Sequence, residues 1–255
     1  MCGRFALTST PEETAEFAGV ASLETFPPRY NIAPTQPILT IVAADLPGPG
    51  SNLPPRRALL TRWGLIPGWV KDPGDFPLLI NARSETVIDK ASFRAAMRHR
   101  RVLIPASGFY EWHRPGKDSG RKSQAYWIRP KHGGLVAFAG LMETWSAAEG
   151  SEMDTAAIVT CGANDSIGRI HDRMPVVIQP EDFARWLDCK TQEPRQVADL
   201  MRPTDEDSFE AIPVSALVNK VANMGPELQT AVAEDKASTP TAAKPDAGGG
   251  QMSLF

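Results

Sequence analysis

Proline and glycine are the residues that most limit what this chain can fold into. Its 255 residues include 23 prolines and 20 glycines, spread so widely that few uninterrupted stretches could form a long helix. Short apolar and β-branched runs lie between these breaks, and such runs are typical of β-strands. We therefore expect an α+β fold with a curved, largely antiparallel, barrel-like β-sheet core and a few short flanking helices.

Three helices and eight strands are predicted within this framework. The first helix has the clearest boundaries, because Thr10 is suited to the N-cap, Glu13 completes a capping box and Gly19 ends the helix. Two further helices are expected at about 91–99 and 181–188. Strands are expected near 37–43, 57–63, 101–104, 125–128, 135–141, 155–160, 174–178 and 210–214.

Composition indicates one folded domain followed by a tail. We expect the domain to cover residues 1–226, a disordered linker rich in Ala, Thr, Lys, Pro and Gly to cover 227–250, and a terminal peptide motif to cover 251–255. No stretch approaches the roughly 18–20 apolar residues that span a bilayer, and no signal peptide is evident. Three cysteines do not suggest a disulfide framework. These features predict a cytoplasmic protein without membrane contact.

The formal net charge of −3 excludes a generally basic, nucleic-acid-coating protein. A surface that binds nucleic acid would have to be a local cluster of cations. Arg94, Arg98, Arg100 and Arg101, which follow Phe93, are one candidate for such a cluster.

Cys2 is the first residue with unusual chemical potential. Removal of Met1 would leave an amine, with a pKa near ~7.7–8.0, and a thiol, with a pKa near ~8.5, on the same residue. An amine condenses with an aldehyde to a Schiff base, and a neighbouring thiolate can then close a five-membered thiazolidine ring. From this residue alone, an inert cysteine remains the alternative.

The segment Asn81-Ala-Arg-Ser-Glu85 follows Pro77-Leu-Leu-Ile80. The apolar residues predict a buried strand that leads into a polar loop, which suits the edge of a site. A turn with a single salt bridge is the alternative.

Two later segments each contain one candidate for proton transfer. Glu111 lies within Gly108-Phe-Tyr-Glu-Trp112, where aromatic neighbours would raise the pKa of the carboxyl group into the range of a general acid or base. An exposed glutamate on an alternating strand is the alternative. His171, within Ile170-His-Asp-Arg-Met-Pro175, precedes an apolar strand, and a structural histidine is its alternative.

Taken together, these motifs resemble the SOS-response-associated peptidase family, whose members process abasic sites and crosslink to DNA. The resemblance rests on Met-Cys-Gly-Arg, Asn-Ala-Arg-x-Glu, Gly-Phe-Tyr-Glu-Trp and His-Asp-Arg-Met-Pro, in this order. It extends from residue 2 to about 226, where Val218-Asn-x-x-x-Asn223 is also similar. No motif position departs from the family pattern, and only the tail is additional.

The resemblance implies an enzyme that recognises abasic sites in single-stranded DNA and shields them at replication forks, with lyase-type chemistry and an (auto)peptidase activity that removes Met1. No cofactor or metal is implied, and the protein would be nucleoid-associated. Its implied catalytic residues are Cys2, which bonds the abasic aldehyde as a thiazolidine, Asn81, which orients the sugar, Glu111, which moves protons, and His171, which protonates the sugar oxygen.

Four other residues match the DNA-contacting positions of the family. Arg4 and Arg83 correspond to residues that hold the phosphates beside the lesion. Pro34 and Trp69 correspond to residues that wedge against the base stack. Trp63, by contrast, is expected to pack in the core.

The chain ends on a peptide that resembles the motif by which bacterial replication proteins bind the sliding clamp. Its residues are Gln251, Met252, Ser253, Leu254 and Phe255. A linker before it would raise the effective concentration of the domain near a bound clamp.

Two other functions fit parts of the sequence. The first is an N-terminal-nucleophile amidohydrolase or peptidase, in which Cys2 attacks an amide and its own amine acts as the base. The second is a non-enzymatic DNA-binding module tethered to the clamp. Neither requires all the motifs at once.

Overall fold

The computed structural model describes residues 2–44, 55–115 and 123–233. Within these ranges the protein has the α+β fold expected from the sequence, with a curved, largely antiparallel, barrel-like core and short helices around it. No helix in the described ranges is long and apolar enough to cross a membrane.

Thirteen strands and four α-helices make up the described part of the chain. The strands are β1 (Phe5–Leu7), β2 (Arg29–Ile32), β3 (Pro37–Ala43), β4 (Arg56–Trp63), β5 (Asn81–Arg83), β6 (Arg101–Ala106), β7 (Gly108–His113), β8 (Gln124–Pro130), β9 (Val136–Ser146), β10 (Glu152–Gly162), β11 (Arg173–Pro175), β12 (Val177–Ile178) and β13 (Phe209–Val214). The helices are α1 (Pro11–Ala18), α2 (Arg94–His99), α3 (Asp165–Gly168) and α4 (Phe183–Leu187).

Five strands close into a barrel. Their order is β10-β4-β3-β6-β9, and β9 pairs with β10 again, so the ring is complete. Strands β11 and β12 extend this sheet, and β5 lies beside β10. A second sheet has the order β13-β8-β7-β1-β2. Pairing is antiparallel except where β10 meets β4 and β5. Closing the ring removes exposed sheet edges and gives the site a rigid base.

Strand β1 connects the barrel core to the site. Its Phe5 packs edge-to-face against Trp63, with ring centroids 5.2 Å apart, and against Phe138 at 6.0 Å. All three rings are essentially buried. Because Phe5 is fixed in this way, the residues just before it, including Cys2, are held over the end of the core.

The first predicted helix is confirmed in detail. Thr10 caps α1, the capping box with Glu13 is present, and Gly19 ends the helix with φ +66°, a conformation that suits glycine. All eight predicted strands are present, and the one predicted at 174–178 is divided between β11 and β12. Strands β1, β2, β5 and β7 were not among those predicted.

One prediction near the site is wrong. Pro77–Ile80 is not the strand, and Asn81 does not lie in a loop, because the strand is Asn81–Arg83 itself. This short strand pairs in parallel with residues 158–160 of β10, so the polar residues lie in the sheet. Leu79 and Ile80 instead pack on the core, whereas Leu78 is 48% exposed. The Ile80 carbonyl accepts the indole N–H of Trp63 at 3.0 Å.

Contacts with the domain continue beyond residue 226. A 3-10 helix covers Pro226–Gln229, Leu228 is completely buried, and the Val232 N–H donates to the Pro213 carbonyl of edge strand β13. The rest of the predicted linker, from residue 234, and the terminal peptide 251–255 lie outside the described residues.

Candidate functional site

The four predicted catalytic residues come from four separate parts of the fold. Cys2 precedes β1, Asn81 begins β5, Glu111 lies on β7 and His171 precedes β11. Strands β1 and β7 are neighbours, and the Tyr110 N–H donates to the Arg4 carbonyl at 2.9 Å. Strands β5 and β11 both pair with β10. Sheet pairing therefore brings the four residues toward the start of the chain.

Cys2 is completely buried. Burial raises the pKa of its thiol far above the usual range, and the charge of Glu111 raises the pKa further, whereas the positive amino terminus and a backbone hydrogen bond at Arg4 lower it. The Sγ atom lies 4.0 Å from the Arg4 carbonyl oxygen. The sulfur is therefore held as a protonated thiol in this state, so a nearby base would be needed to activate it.

Asn81 holds the backbone of Cys2 in place. Its side-chain Nδ2 donates to the Cys2 carbonyl at 2.9 Å. Its Oδ1 is buried and has no hydrogen-bond partner among the described residues. A buried acceptor without a partner carries a desolvation cost, so this oxygen is suited to bind a donor from a substrate.

Glu111 is a buried carboxyl group, only 2 % exposed. Burial raises the pKa of Glu111 to about 7, and the amino terminus, a backbone bond to Trp112 and the charge of Arg114 partly oppose this effect. The alternative of an exposed glutamate is therefore wrong. A carboxyl group that titrates near neutral pH can both accept and donate a proton.

His171 lies at the same amino terminus and is partly exposed. Burial lowers its pKa, as do the amino terminus and Arg114, whereas the charge of Asp172 raises the pKa. The positive charge at the start of the chain thus acts on the pKa of Cys2, Glu111 and His171. All four predicted catalytic residues are brought together.

The two predicted phosphate-binding arginines differ. Arg83 is exposed and, with Asn81 and Phe93, lines a cavity of about 790 Å³. Arg4 is half-buried, and its Nη1 donates to the Asn31 side chain at 2.7 Å and to the Val218 carbonyl at 2.8 Å. Arg83 is thus free to meet a ligand, whereas Arg4 also fastens the segment around residue 218 to β1.

The two predicted wedge residues lie on turns, where Pro34 is half-buried and Trp69 is exposed. Trp69 is 61 % exposed and packs edge-to-face on Phe76 at 5.4 Å, which holds its ring outward. Pro34 precedes Thr35, which has the unusual φ of 73° for a non-glycine residue. The Thr35 N–H donates to the Trp63 carbonyl at 2.8 Å, and Trp63 itself is fully buried, as expected.

The proposed arginine surface at 94–101 is not formed as a unit. Arg101 is buried, and its guanidinium donates to four backbone carbonyls, those of Met97, Trp186, Asp188 and Gln192. Arg98 pairs with Glu193, and Arg100 pairs with Glu143. All six residues of β6 are buried, and Arg101, the first of them, therefore also faces the interior.

Two features near the site were missed by sequence reasoning. Arg114, just after β7, is exposed, yet its charge acts on both Glu111 and His171. Arg173 forms a bidentate ion pair with Glu85, which joins the residues just after β5 to β11. The motif spacing hinted at the second feature, since Glu85 and Arg173 both belong to recognised motifs. In the described ranges, no group of three or more His, Cys, Asp or Glu residues is arranged to hold a metal ion.

Curated proteins are similar to this chain in sequence over most of its length. The chain is 40% identical over 231 residues to the abasic site processing protein YoqW of Bacillus subtilis, covering 89% of this chain and 98% of that protein. It is 31% identical over 236 residues to the abasic site processing protein YedK of Escherichia coli, covering 89% and 98%.

Solved structures have the same fold. A protein from Bacteroides thetaiotaomicron matches with a TM-score of 0.77 at 22% identity, covering 91% of this chain and 100% of that one. A phage-related protein from Bordetella bronchiseptica matches with a TM-score of 0.65 at 30% identity, covering 84% and 94%. The family described as SOS response associated peptidase (SRAP) matches residues 1–221. The chain therefore belongs to the SRAP family.

Proposed function

We propose that this protein recognises abasic sites in single-stranded DNA and bonds to them covalently through Cys2. The main support is that a buried thiol, an amide that donates to the Cys2 carbonyl, and a carboxyl group with a pKa of about 7 lie together at the start of the described chain. The names of the relatives, which are abasic site processing proteins, support the same substrate.

The chemistry begins when Met1 is removed and the Cys2 nitrogen becomes the terminal amine. This nitrogen attacks C1′ of the ring-opened abasic sugar, and loss of one water gives a Schiff base. The Cys2 sulfur then adds to the same carbon while the thiol proton passes to the nitrogen, which closes a thiazolidine. The two bonds to one carbon make the adduct far more durable than the imine.

Glu111 and His171 supply the protons. A carboxyl group with a pKa near 7 can accept the thiol proton and return one to the departing water. His171 protonates the sugar ring oxygen, so that the aldehyde is exposed. Asn81 Oδ1 accepts a hydroxyl of the sugar, which satisfies its buried lone pairs. A Schiff base also permits β-elimination, so a slower lyase reaction accompanies crosslinking.

DNA binding uses surfaces outside this pocket. Arg83 is an exposed cation beside Asn81 and holds a flanking phosphate. Trp69 presents an exposed ring on which a base can stack. Pro34, on the turn before the strained Thr35, is proposed as the second wedge, and Arg4 as a further phosphate contact.

A denaturing gel tests the proposal. Protein from which Met1 has been removed, verified by mass spectrometry, is incubated with a single-stranded oligonucleotide bearing one abasic site. We expect a shifted band that survives heating, is absent in Cys2→Ala, and is retained in Cys161→Ala, a matched control at another buried thiol. Cys2→Ser keeps the amine and should give only a reversible imine.

The same experiment separates the competing functions. Absence of the band together with amide hydrolysis would favour an N-terminal-nucleophile peptidase. Protein that retains Met1 should form no band, because its Cys2 nitrogen is an amide. Comparing processing of Met1 in the wild type and in Glu111→Gln tests whether the protein removes this residue itself.

We further propose that residues 251–255 tether the domain to the sliding clamp. The domain's last described contact, between Val232 and Pro213, lies on the sheet row that also contains Tyr126 and Glu111. A bound tail would therefore hold the site close to the clamp and its DNA. Clamp affinity with and without the last five residues decides this point, and equal affinity contradicts it.

A further inference from the structure

One ring nitrogen of His171 has two neighbours with opposite requirements. Its Nδ1 lies 3.0 Å from the backbone nitrogen of Arg173 and 2.9 Å from Oδ1 of Asp172. The Arg173 N–H can only donate, and an ionised carboxylate can only accept. Each neighbour therefore suits a different protonation state of the ring.

The two states differ in how Nδ1 is bonded. In the neutral ring a bare Nδ1 accepts the Arg173 N–H, which leaves the proton on Nε2. In the imidazolium, Nδ1–H donates to Asp172 instead. Nε2 carries a hydrogen in both states, but only the imidazolium can give that hydrogen away readily.

We propose that Asp172 is a positioning residue that stabilises the imidazolium form of His171 required to open the abasic sugar ring, against the groups that disfavour it. This inference rests on the proposed function, in which His171 is the acid. The proton passes from Nε2 to the ring oxygen, the bond from that oxygen to C1′ breaks, and the C1′ hydroxyl proton leaves to the Glu111 carboxylate. The neutral ring that remains has its proton on Nδ1, already bound to Asp172.

The surroundings of His171 make this carboxylate decisive. The amino terminus and Arg114 both oppose a positive charge on the ring, as does burial. Asp172 is the side chain that favours such a charge by its own charge. Without Asp172, the ring would face two cations and no opposing carboxylate of this kind.

The second neighbour is fixed by the sheet. Arg173 pairs with Gly162 in β10, and its Nη2 donates to the Thr160 carbonyl at 2.6 Å. Its guanidinium is also paired with Glu85. The Arg173 N–H therefore remains in position, and exchange of partners requires only a shift of the ring proton, with Asp172 free to reorient because its side chain is 87% exposed.

Titration of His171 by nuclear magnetic resonance tests the proposal without DNA. In Asp172→Asn we expect the pKa of His171 to fall by roughly 0.3–0.7 unit, the amount that an exposed ion pair provides. Ring-nitrogen shifts should move from the Nδ1-protonated toward the Nε2-protonated pattern at intermediate pH. Asp165→Asn, which makes the same change on the neighbouring helix α3, should leave the titration unaltered. An unchanged His171 pKa in Asp172→Asn overturns the proposal.

Crosslinking rates give a second measurement. The alkaline limb of the rate profile, where His171 loses its proton, should move to lower pH in Asp172→Asn by the same amount as the pKa of His171. The rate at pH 7.5 should then fall by roughly two- to fivefold. A shifted pKa with an unshifted rate profile would also overturn the assignment. If the wild type forms no crosslink, the proposed function fails, while the resonance titration still decides whether Asp172 controls the ring.

Discussion

Arg101 and Glu111 are both charged side chains that are 2% exposed, but their surroundings differ fundamentally. The guanidinium of Arg101 donates to four backbone carbonyls, which bind α2 and the segment after α4 together. Glu111 is instead held at the amino terminus, where burial raises its pKa to about 7. Burial therefore does not by itself distinguish a charged residue that stabilises the fold from one that takes part in a reaction.

The difference lies in what each group can still do. Arg101 keeps its charge at all ordinary pH values and has most of its donors occupied, so it stabilises one arrangement of the chain. Glu111 changes charge near neutral pH, and it lies beside a thiol whose proton must move. A buried charged group whose hydrogen bonds are nearly all satisfied indicates a structural role. A buried group that changes charge near neutral pH indicates a role in the reaction.

Removing Arg101 should have the largest effect on stability. Arg101→Met leaves four buried carbonyls without their donor and should lower the free energy of unfolding by about 3–5 kcal/mol. Urea denaturation measures this loss. The folded fraction should crosslink normally, and a loss below about 1 kcal/mol would contradict the structural role.

Replacing Glu111 should have the opposite effect on stability. In the folded wild type the pKa of Glu111 is about 7 instead of 4.5, so its ionisation costs stability as pH rises between those values. Glu111→Gln avoids this cost and should be more stable than wild type by roughly 2–3 kcal/mol at pH 8, with little difference at pH 4. Crosslinking should slow by about 10²–10⁴-fold.

Denaturation at both pH values, with crosslinking rates at pH 8, checks this prediction. A variant that is destabilised at pH 8 would show that Glu111 is a structural residue. Equal stability at both pH values would show that the pKa of Glu111 is not raised.

The same comparison extends to the tryptophans. Trp63 is buried and its indole N–H is bonded, whereas Trp69 is 61% exposed. Trp69→Ala should weaken binding to an undamaged single strand by about 1–3 kcal/mol, because a stacking surface is lost, with stability almost unchanged. Leu60→Ala, at a side chain that is 69% exposed on β4, is the control. Equal affinities in both variants would exclude Trp69 from the DNA surface.

Replacing Arg83 should have the smallest effect, a small loss of affinity for single-stranded DNA. Unlike Arg101, Arg83 is exposed, and Arg83→Ala removes one phosphate contact. The slope of log affinity against log salt should decrease by roughly 0.7 for a single strand. Affinity measured at four salt concentrations, with the exposed Arg195→Ala as control, tests this; an unchanged slope shows that Arg83 does not neutralise a phosphate.

Local signals in the sequence predicted local structure well. The capping box of Thr10 and Glu13 fixed the start of α1, and the apolar runs located every barrel strand. Strand β5 was missed because Asn81–Arg83 has no strand pattern and is extended only through its pairing with β10. Arg101 was placed on the surface because three of its four carbonyl partners are distant in the sequence, and no local pattern reveals them.

The site itself was predictable in its members but not in its electrostatics. Motif order identified Cys2, Asn81, Glu111 and His171, and the structure groups them. Two electrostatic features depend on how separate strands are placed. One is the high pKa of the Cys2 thiol, and the other is the sharing of one His171 ring nitrogen by Asp172 and the Arg173 N–H. The placement of the strands is set by the closed barrel as a whole.

The complete burial of Cys2 has a consequence for how long the protein stays reactive before it meets a lesion. If each molecule reacts with a single lesion, it is a reagent that is consumed once, and premature reaction would waste it. Aminothiols combine readily with formaldehyde and other metabolic aldehydes. A sulfur that solvent does not reach, with its proton firmly held, is shielded from these small competitors until a nucleic acid strand brings its aldehyde into the pocket. The fold would thus keep the reactive aminothiol of Cys2 intact until it meets an abasic site.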